Sequence, residues 1–366
     1  MVTEFLNLGA AYKELQLDID AAVSRVMNSG WFILGEEVAR FEKAFAAYCE
    51  AQHAVGVANG LDALILSLRA LDIGLGDEVI VPSNTYIATW LAVSEVGASV
   101  VPVEPDPQTH NIDPARIETA ITPRTRAVIA VHLYGQPVDL DPILTLTRTH
   151  RIALIEDAAQ AHGARYRGQR IGSHGDLVCW SFYPAKNLGA MGDAGSVTTN
   201  NSVLAERVRM LGNYGGRRKY HNEILGLNSR LDEIQAAILS VKLPHMDDWN
   251  ERRRLIAKQY SEAFAGTDLG LPTQPDYAEC VWHLYVVRCP DRAGLVAHLD
   301  AAGVRTQMHY PIAPAEQPAY AVEAKELRDL PIARALAANV LSLPIGPHQS
   351  QTDTDRVIDA VCRYST

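Results

Sequence analysis

Between residues 50 and 200 the chain repeats one pattern: a short apolar run, a turn, then an amphipathic stretch. "HAVGVANG" leads into "LDALILSLRAL", "DEVIVPS" into "NTYIATWLAVSEVG", and "ASVVPVEP" precedes a helix near "DPARIETAI". "AVIAVHLYG" then runs into "LDPILTLTRTH", and "IALIEDAAQAHGA" follows. Alternation of this kind implies a mostly parallel central sheet with helices on both faces, because parallel neighbours need a crossover and a helix is the compact one.

At 366 residues and 48% hydrophobic, the chain is long enough for a large and a smaller domain. We expect a large domain over residues 1–245 and a C-terminal α+β domain over 246–366. The latter would carry a strand at "VWHLYVVRC", a helix near "RAGLVAHLDAAG" and a strand at "VLSLPIG". Residues 229–262 read as amphipathic helix, broken or kinked at Pro244.

The formal net charge is −10 and no basic block is present, which argues against a nucleic-acid partner. The start lacks a basic stretch followed by an apolar core, and no apolar run reaches the ~18 residues that a membrane span needs. A soluble, cytoplasmic protein is expected. Cys49, Cys179, Cys280, Cys289 and Cys362 are odd in number and scattered, so neither a disulfide framework nor a metal site is expected.

The stretch "SFYPAKNLGAMGDAG" (181–195) puts Lys186 just past a short apolar strand that Pro184 ends. Ligands of open α/β sheets bind at such strand ends. "IALIED" places Glu156 and Asp157 at the end of another, where a carboxylate is costly unless something positive or protonated meets it. Asp157 suits either a helix cap or buried ion pair, or the protonated nitrogen of a pyridine cofactor. Asn59-Gly60 and the helix that follows could cradle a phosphate, or be an ordinary strand-to-helix turn. Ser181 could add a hydroxyl to that phosphate or serve its own backbone. Tyr86, in a first helical turn on the same rim, could stack on a flat ring or sit in the core.

Together with "SGWFILGEEVARFEKAFAAYC", "VHLYGQPVDLDPI", "GLNSRLDEIQAA" and "HYPIAPAEQPAY", these stretches resemble the DegT/DnrJ/EryC1/StrS sugar aminotransferases almost end to end. That resemblance implies the aspartate-aminotransferase-like fold type I and pyridoxal 5′-phosphate (PLP) as cofactor. By its pattern Lys186 is the lysine that attaches the cofactor, Asp157 the partner of the ring nitrogen and Gln160 the contact of the ring hydroxyl. Ser181 with the backbone of Gly60 and Leu61 would hold the phosphate, and Tyr86 would stack on the ring. Leu61 stands where many relatives have threonine or serine, so only backbone contacts are expected there. Asn228 matches an asparagine that reaches the neighbouring subunit's phosphate, implying a homodimer with shared sites.

A lysine at 186, where the dehydratases of the group carry histidine, favours transamination. Tyr183, His309 and Tyr310 resemble residues of the sugar pocket, and Tyr220 and His221 lie on a loop expected to serve the neighbour's site. The expected reaction is conversion of a dTDP-3-keto-6-deoxyhexose to the 3-amino-3,6-dideoxyhexose with L-glutamate as donor. The alternatives are a 4-keto nucleotide sugar, or a cyclitol or aminobenzoate-type substrate in the same family.

Overall fold

The computed structural model describes residues 2–321 and 329–364. Its strands in chain order are β1 (His53–Val57), β2 (Glu78–Pro82), β3 (Ser99–Val103), β4 (Thr125–Val131), β5 (Ala153–Asp157), β6 (Arg165–Tyr166), β7 (Gln169–Arg170), β8 (Leu177–Ser181), β9 (Gly195–Thr199), β10 (Ala278–Glu279), β11 (Tyr285–Arg288) and β12 (Val340–Leu343). Seven of them form one sheet in the order β1-β9-β8-β5-β4-β2-β3. Only β9 runs against the rest, antiparallel to both β8 and β1. The parallel α/β sheet expected from the alternation is thus present, with one reversed strand that no apolar run had announced.

Successive strand residues enter opposite cores, as the pleat requires. Ile80, Val128, Leu154, Val178 and Trp180 face a core built with Phe41 and Phe45 of helix Glu36–Tyr48. Val79, Val81, Ile129, Ile155 and Leu177 face the other, beneath helices Gly60–Ala70, Ala88–Glu95 and Ser202–Gly212. Aromatic edges lock the first core: Phe45 meets Trp180 edge-on at 5.3 Å between ring centroids.

Pro244 lies in a 3₁₀ turn, Leu243–His245, between helices Glu233–Lys242 and Met246–Phe264. Having no N–H to give, it marks where one helical hydrogen-bond ladder stops and the next begins. Beyond it a separate core forms, in which Tyr260 and Phe264 pack with Tyr285, Leu299, Leu341 and Val357. The strand at "VWHLYVVRC" is shorter than expected, because Val281 N–H and Leu284 N–H donate instead to Gly135 and Tyr134 carbonyls, tying this segment to the main sheet's rim. The ends of the chain also cross over. Thr3 exchanges backbone hydrogen bonds with Gly303 and Arg305, while Ala333 and Ala337 of helix Pro331–Asn339 pack into the core under the main sheet. No helix of the described residues is long and apolar enough to cross a membrane.

Candidate active site

A cavity of about 890 Å³ opens at the carboxyl ends of β5 and β8. Gly60, Leu61, Tyr86, Asp157, Gln160, Ser181, Tyr183, Lys186, His309 and Tyr310 all line it. These are ten of the thirteen positions singled out in the sequence. Pro82, Asp157 and Ser181 end β2, β5 and β8, so the parallel register carries their loops to one rim.

Glu156 and Asp157 are neighbours whose side chains leave β5 on opposite sides. Glu156 is fully buried and accepts from Gly175 N–H at 2.6 Å and from His132 Nε2 at 2.9 Å. Val138 N–H donates to His132 Nδ1, so the ring's proton sits on Nε2 and His132 is neutral. Burial opposes ionisation of Glu156, but the His132 and Gly175 hydrogen bonds hold its carboxyl below the ordinary range. Asp157 instead turns to the cavity, accepting from Ala159 N–H at 3.2 Å and Thr89 Oγ1 at 3.0 Å. Burial raises its pKa above the usual carboxylate range, and these two donors with the Lys186 charge only partly oppose that rise.

Lys186 stands at the cavity wall, partly open to it but surrounded by protein on its other sides. Burial pushes its ammonium down to about 8, with Asp157 pulling the other way. An amine so placed exchanges a proton near neutral pH, which an exposed lysine does not.

The helix Gly60–Ala70 points its N-terminus at the same space. Asn59 caps it, its side chain accepting from Asp62 N–H at 2.8 Å and its carbonyl from Ala63 N–H at 3.1 Å. The N–H groups of Gly60 and Leu61 have no acceptor among the described residues, and both residues line the cavity. Ser181 lies directly opposite. Free backbone donors, a helix dipole and a hydroxyl make an anion cradle of phosphate character. The cavity therefore fits PLP on its own terms: a cradle for an anion, a buried carboxylate for a cationic ring nitrogen, and an amine of lowered basicity between them.

Gln160 is already engaged. Its Oε1 accepts from Tyr134 N–H at 2.6 Å and its Nε2 donates to Tyr310 Oη at 3.0 Å. The ring of Tyr310 lies 5.2 Å from that of Tyr86, so the two aromatics and Gln160 form one wall. His309 Nδ1 bonds Ser342 Oγ at 2.8 Å, anchoring this wall to β12, and burial lowers its imidazole to about 4.

Tyr220, His221 and Asn228 do not line this cavity. All three are exposed on a projecting hairpin that Asn213 and Asn228 close by backbone pairing. Residues that sequence reasoning missed are Thr85, Thr89, Tyr134 and His283. The only hint was the spacing of two threonines around Tyr86 in "TYIAT".

Known proteins share the architecture. The chain is 55% identical over 362 residues to a dTDP-3-amino-3,4,6-trideoxy-alpha-D-glucose transaminase from Streptomyces venezuelae, covering 99% of this chain and 96% of that one. It is 52% identical over 360 residues to a dTDP-3-amino-3,6-dideoxy-alpha-D-galactopyranose transaminase from Aneurinibacillus thermoaerophilus, covering 98% and 99%. The crystal structure of S. venezuelae DesV in complex with a ketimine intermediate superposes with a TM-score of 0.98 at 54% identity, over 100% of this chain and 98% of that one. NtdA from Bacillus subtilis, with bound cofactor PMP, superposes at 0.92 and 31% identity, over 99% and 85%. Residues 13–362 match the model of one family, and the chain accordingly belongs to the DegT/DnrJ/EryC1/StrS aminotransferases.

Proposed function

We propose that the protein is a PLP-dependent aminotransferase that converts a dTDP-linked 3-keto-6-deoxyhexose to the 3-amino-3,6-dideoxyhexose, with L-glutamate as amino donor. The observation that carries this reading is the convergence of Lys186, Asp157 and the N-terminus of helix Gly60–Ala70 on one cavity. Preference for carbon 3 is supported by two relatives that share more than half their residues with this chain and are named for 3-amino dTDP-sugars.

When bound, PLP supplies an electron-poor ring that delocalises the charge left when a proton leaves the carbon bearing the reacting nitrogen. The chain's own residues do the rest. Gly60, Leu61 and Ser181 would hold the phosphate, Tyr86 would cover a ring face, and Asp157 would face the ring nitrogen. Gln160 would meet the ring hydroxyl with the amide proton not given to Tyr310. Lys186 would hold the cofactor through its amine and would carry the proton at the reacting carbon, its lowered basicity suiting it to both taking and returning it. Tyr183, His309 and Tyr310 are placed to receive the sugar.

The working unit is a homodimer. Trp31, Phe32, Ile33 and Leu34 are exposed, and Leu34 borders the same surface hollow as Asn213 and Arg217 at the root of the projecting hairpin. Leu225 and Tyr220 on that hairpin are 92% and 90% exposed, an apolar cost that a second copy would remove. That copy would receive Tyr220, His221 and Asn228 at its site. Residues 1–245 form the part that holds the cofactor and 246–366 the smaller part that closes over the sugar, in the cytoplasm where its sugar nucleotide would be found.

Glutamate-dependent amination offered both 3-keto and 4-keto dTDP-sugars tests the reading, with the nitrogen's position assigned by NMR. Amination at carbon 3 is expected. Preference for carbon 4 would overturn the regiochemistry, and no amination of either would overturn the function.

A further inference from the structure

Asp157 takes its side-chain hydrogen bonds from two different elements. Ala159 N–H closes a local turn on Oδ1, while Thr89 Oγ1 reaches Oδ2 from helix Ala88–Glu95, 68 residues earlier in the chain. Thr89 Oγ1 lies in turn 2.9 Å from Thr85 Oγ1. An ionised carboxylate has no proton to give, so Thr89 donates its single hydroxyl proton to Asp157 and can only accept from Thr85. The chain of donors therefore runs Thr85 to Thr89 to Asp157. Thr85, Thr89 and Asp157 are 2%, 0% and 8% exposed, so no bulk water competes with any link.

Several groups face the Asp157 carboxyl. Lys186 approaches from the loop after β8, His132 from the end of β4, Tyr310 from the segment before β12, and Cys179 from β8 itself. His132 is neutral, its proton held toward Glu156. The charge on Lys186 changes whenever that amine gives up its proton. Tyr310 and Cys179 are held in their neutral forms by burial. Among side chains, the hydroxyl of Thr89 is the donor that stays constant through a turnover.

We infer that Thr89, backed by Thr85, is a positioning residue that keeps Asp157 ionised and thereby sets the proton on the cofactor's ring nitrogen without itself reaching the cavity. This rests on the PLP reading above. Successive hydroxyls polarise one another, so a donor chain ending on a carboxylate favours its charge more than a lone hydroxyl would. Threonine suits the task because its branched side chain is restricted at χ1, which aims the hydroxyl. The same short segment, from Thr85 into the first turn of helix Ala88–Glu95, would thus bring Tyr86 to the ring face and the hydroxyl chain to the ring's counter-ion.

The test is the ¹⁵N chemical shift of the ring nitrogen in holoenzyme prepared with labelled PLP, for the wild type, Thr89→Val, Thr89→Ser and Asp157→Asn. Thr89→Ser should match the wild type, and Thr89→Val should move toward Asp157→Asn with kcat down on the order of tenfold. The KM for the keto sugar should stay within about twofold, since Thr89 is fully buried and does not line the cavity. A wild-type ¹⁵N shift in Thr89→Val would overturn the inference. If Thr89→Val does not accumulate as folded protein by thermal melt, Thr85→Val is read the same way. It should show a smaller displacement in the same direction, and a wild-type signal there would also overturn the inference. A wild-type protein that takes up no PLP strikes the function and the inference together, whereas an unmoved signal in loaded variants strikes only the hydroxyl chain.

Discussion

Gly60 and Ser181 approach so closely that a side-chain carbon at position 60 would lie 2.7 Å from Ser181 Cβ. The contact holds the N-terminus of helix Gly60–Ala70 against the end of β8, and only the absence of a Cβ permits it. Gly60→Ala should therefore push the helix start away from Ser181 and widen the anion cradle. We expect PLP affinity to fall at least about tenfold, with a stability loss of roughly 1–3 kcal/mol from overpacking. Equilibrium dialysis with PLP checks the first figure and urea unfolding the second. The double variant Gly60→Ala/Ser181→Gly removes the opposing carbon and should recover part of the stability but not the serine's own contact.

Lys186 carries a penalty in the cofactor-free protein. Its ammonium is pushed from the usual 10.5 down to about 8, so between these values the unfolded chain binds the proton and the folded chain does not. The unfolded state is favoured by that difference, fully below about 8, and the penalty vanishes as pH rises through 10.5. Lys186→Met should abolish turnover yet stabilise the cofactor-free protein at pH 7, by on the order of 2 kcal/mol after allowance for the amine's partial access to solvent. The gain should shrink steadily as pH is raised above 8. Urea unfolding across this range decides it; a gain independent of pH would assign the effect to packing of the methionine instead.

Shared active sites can be tested by complementation. Lys186→Ala and Asn228→Asp should each be inactive alone, the first for want of the amine and the second because a carboxylate would face the neighbour's phosphate. After subunit exchange between equal amounts, about one site in four should combine an intact Lys186 with an intact Asn228 from the other chain. Activity should return to that extent. With exchange verified by mass, continued inactivity would mean that each chain builds its site alone.

Much of this site could be read before any coordinates. Lys186 and Asp157 stand at the ends of apolar runs, and in a parallel sheet strand ends collect on one rim; the period of the pattern was enough to bring them together. Gly60 was legible for a similar reason, since a glycine between a strand and a helix start marks close backbone approach. The reversal of β9 was not legible. "GSVTT" is short and half polar, and its direction depends on pairing with β1, which lies more than a hundred residues earlier in the chain.

What the sequence determined by itself was local and periodic: which segments alternate, where strands stop, and which chemically capable residues sit at those stops. Which of two adjacent carboxylates would serve the cavity was a matter of tertiary structure. The pleat sends Glu156 to His132 and Asp157 to Lys186, and nothing in "IED" distinguishes them. The hydroxyl of Thr89 finds Asp157 only because two elements far apart in the chain pack across the sheet. Tyr220, His221 and Asn228 likewise leave their own cavity for the surface. Periodicity fixes which way a side chain points from its own element, but what it then meets depends on how distant elements pack, and that is decided only when the whole core closes.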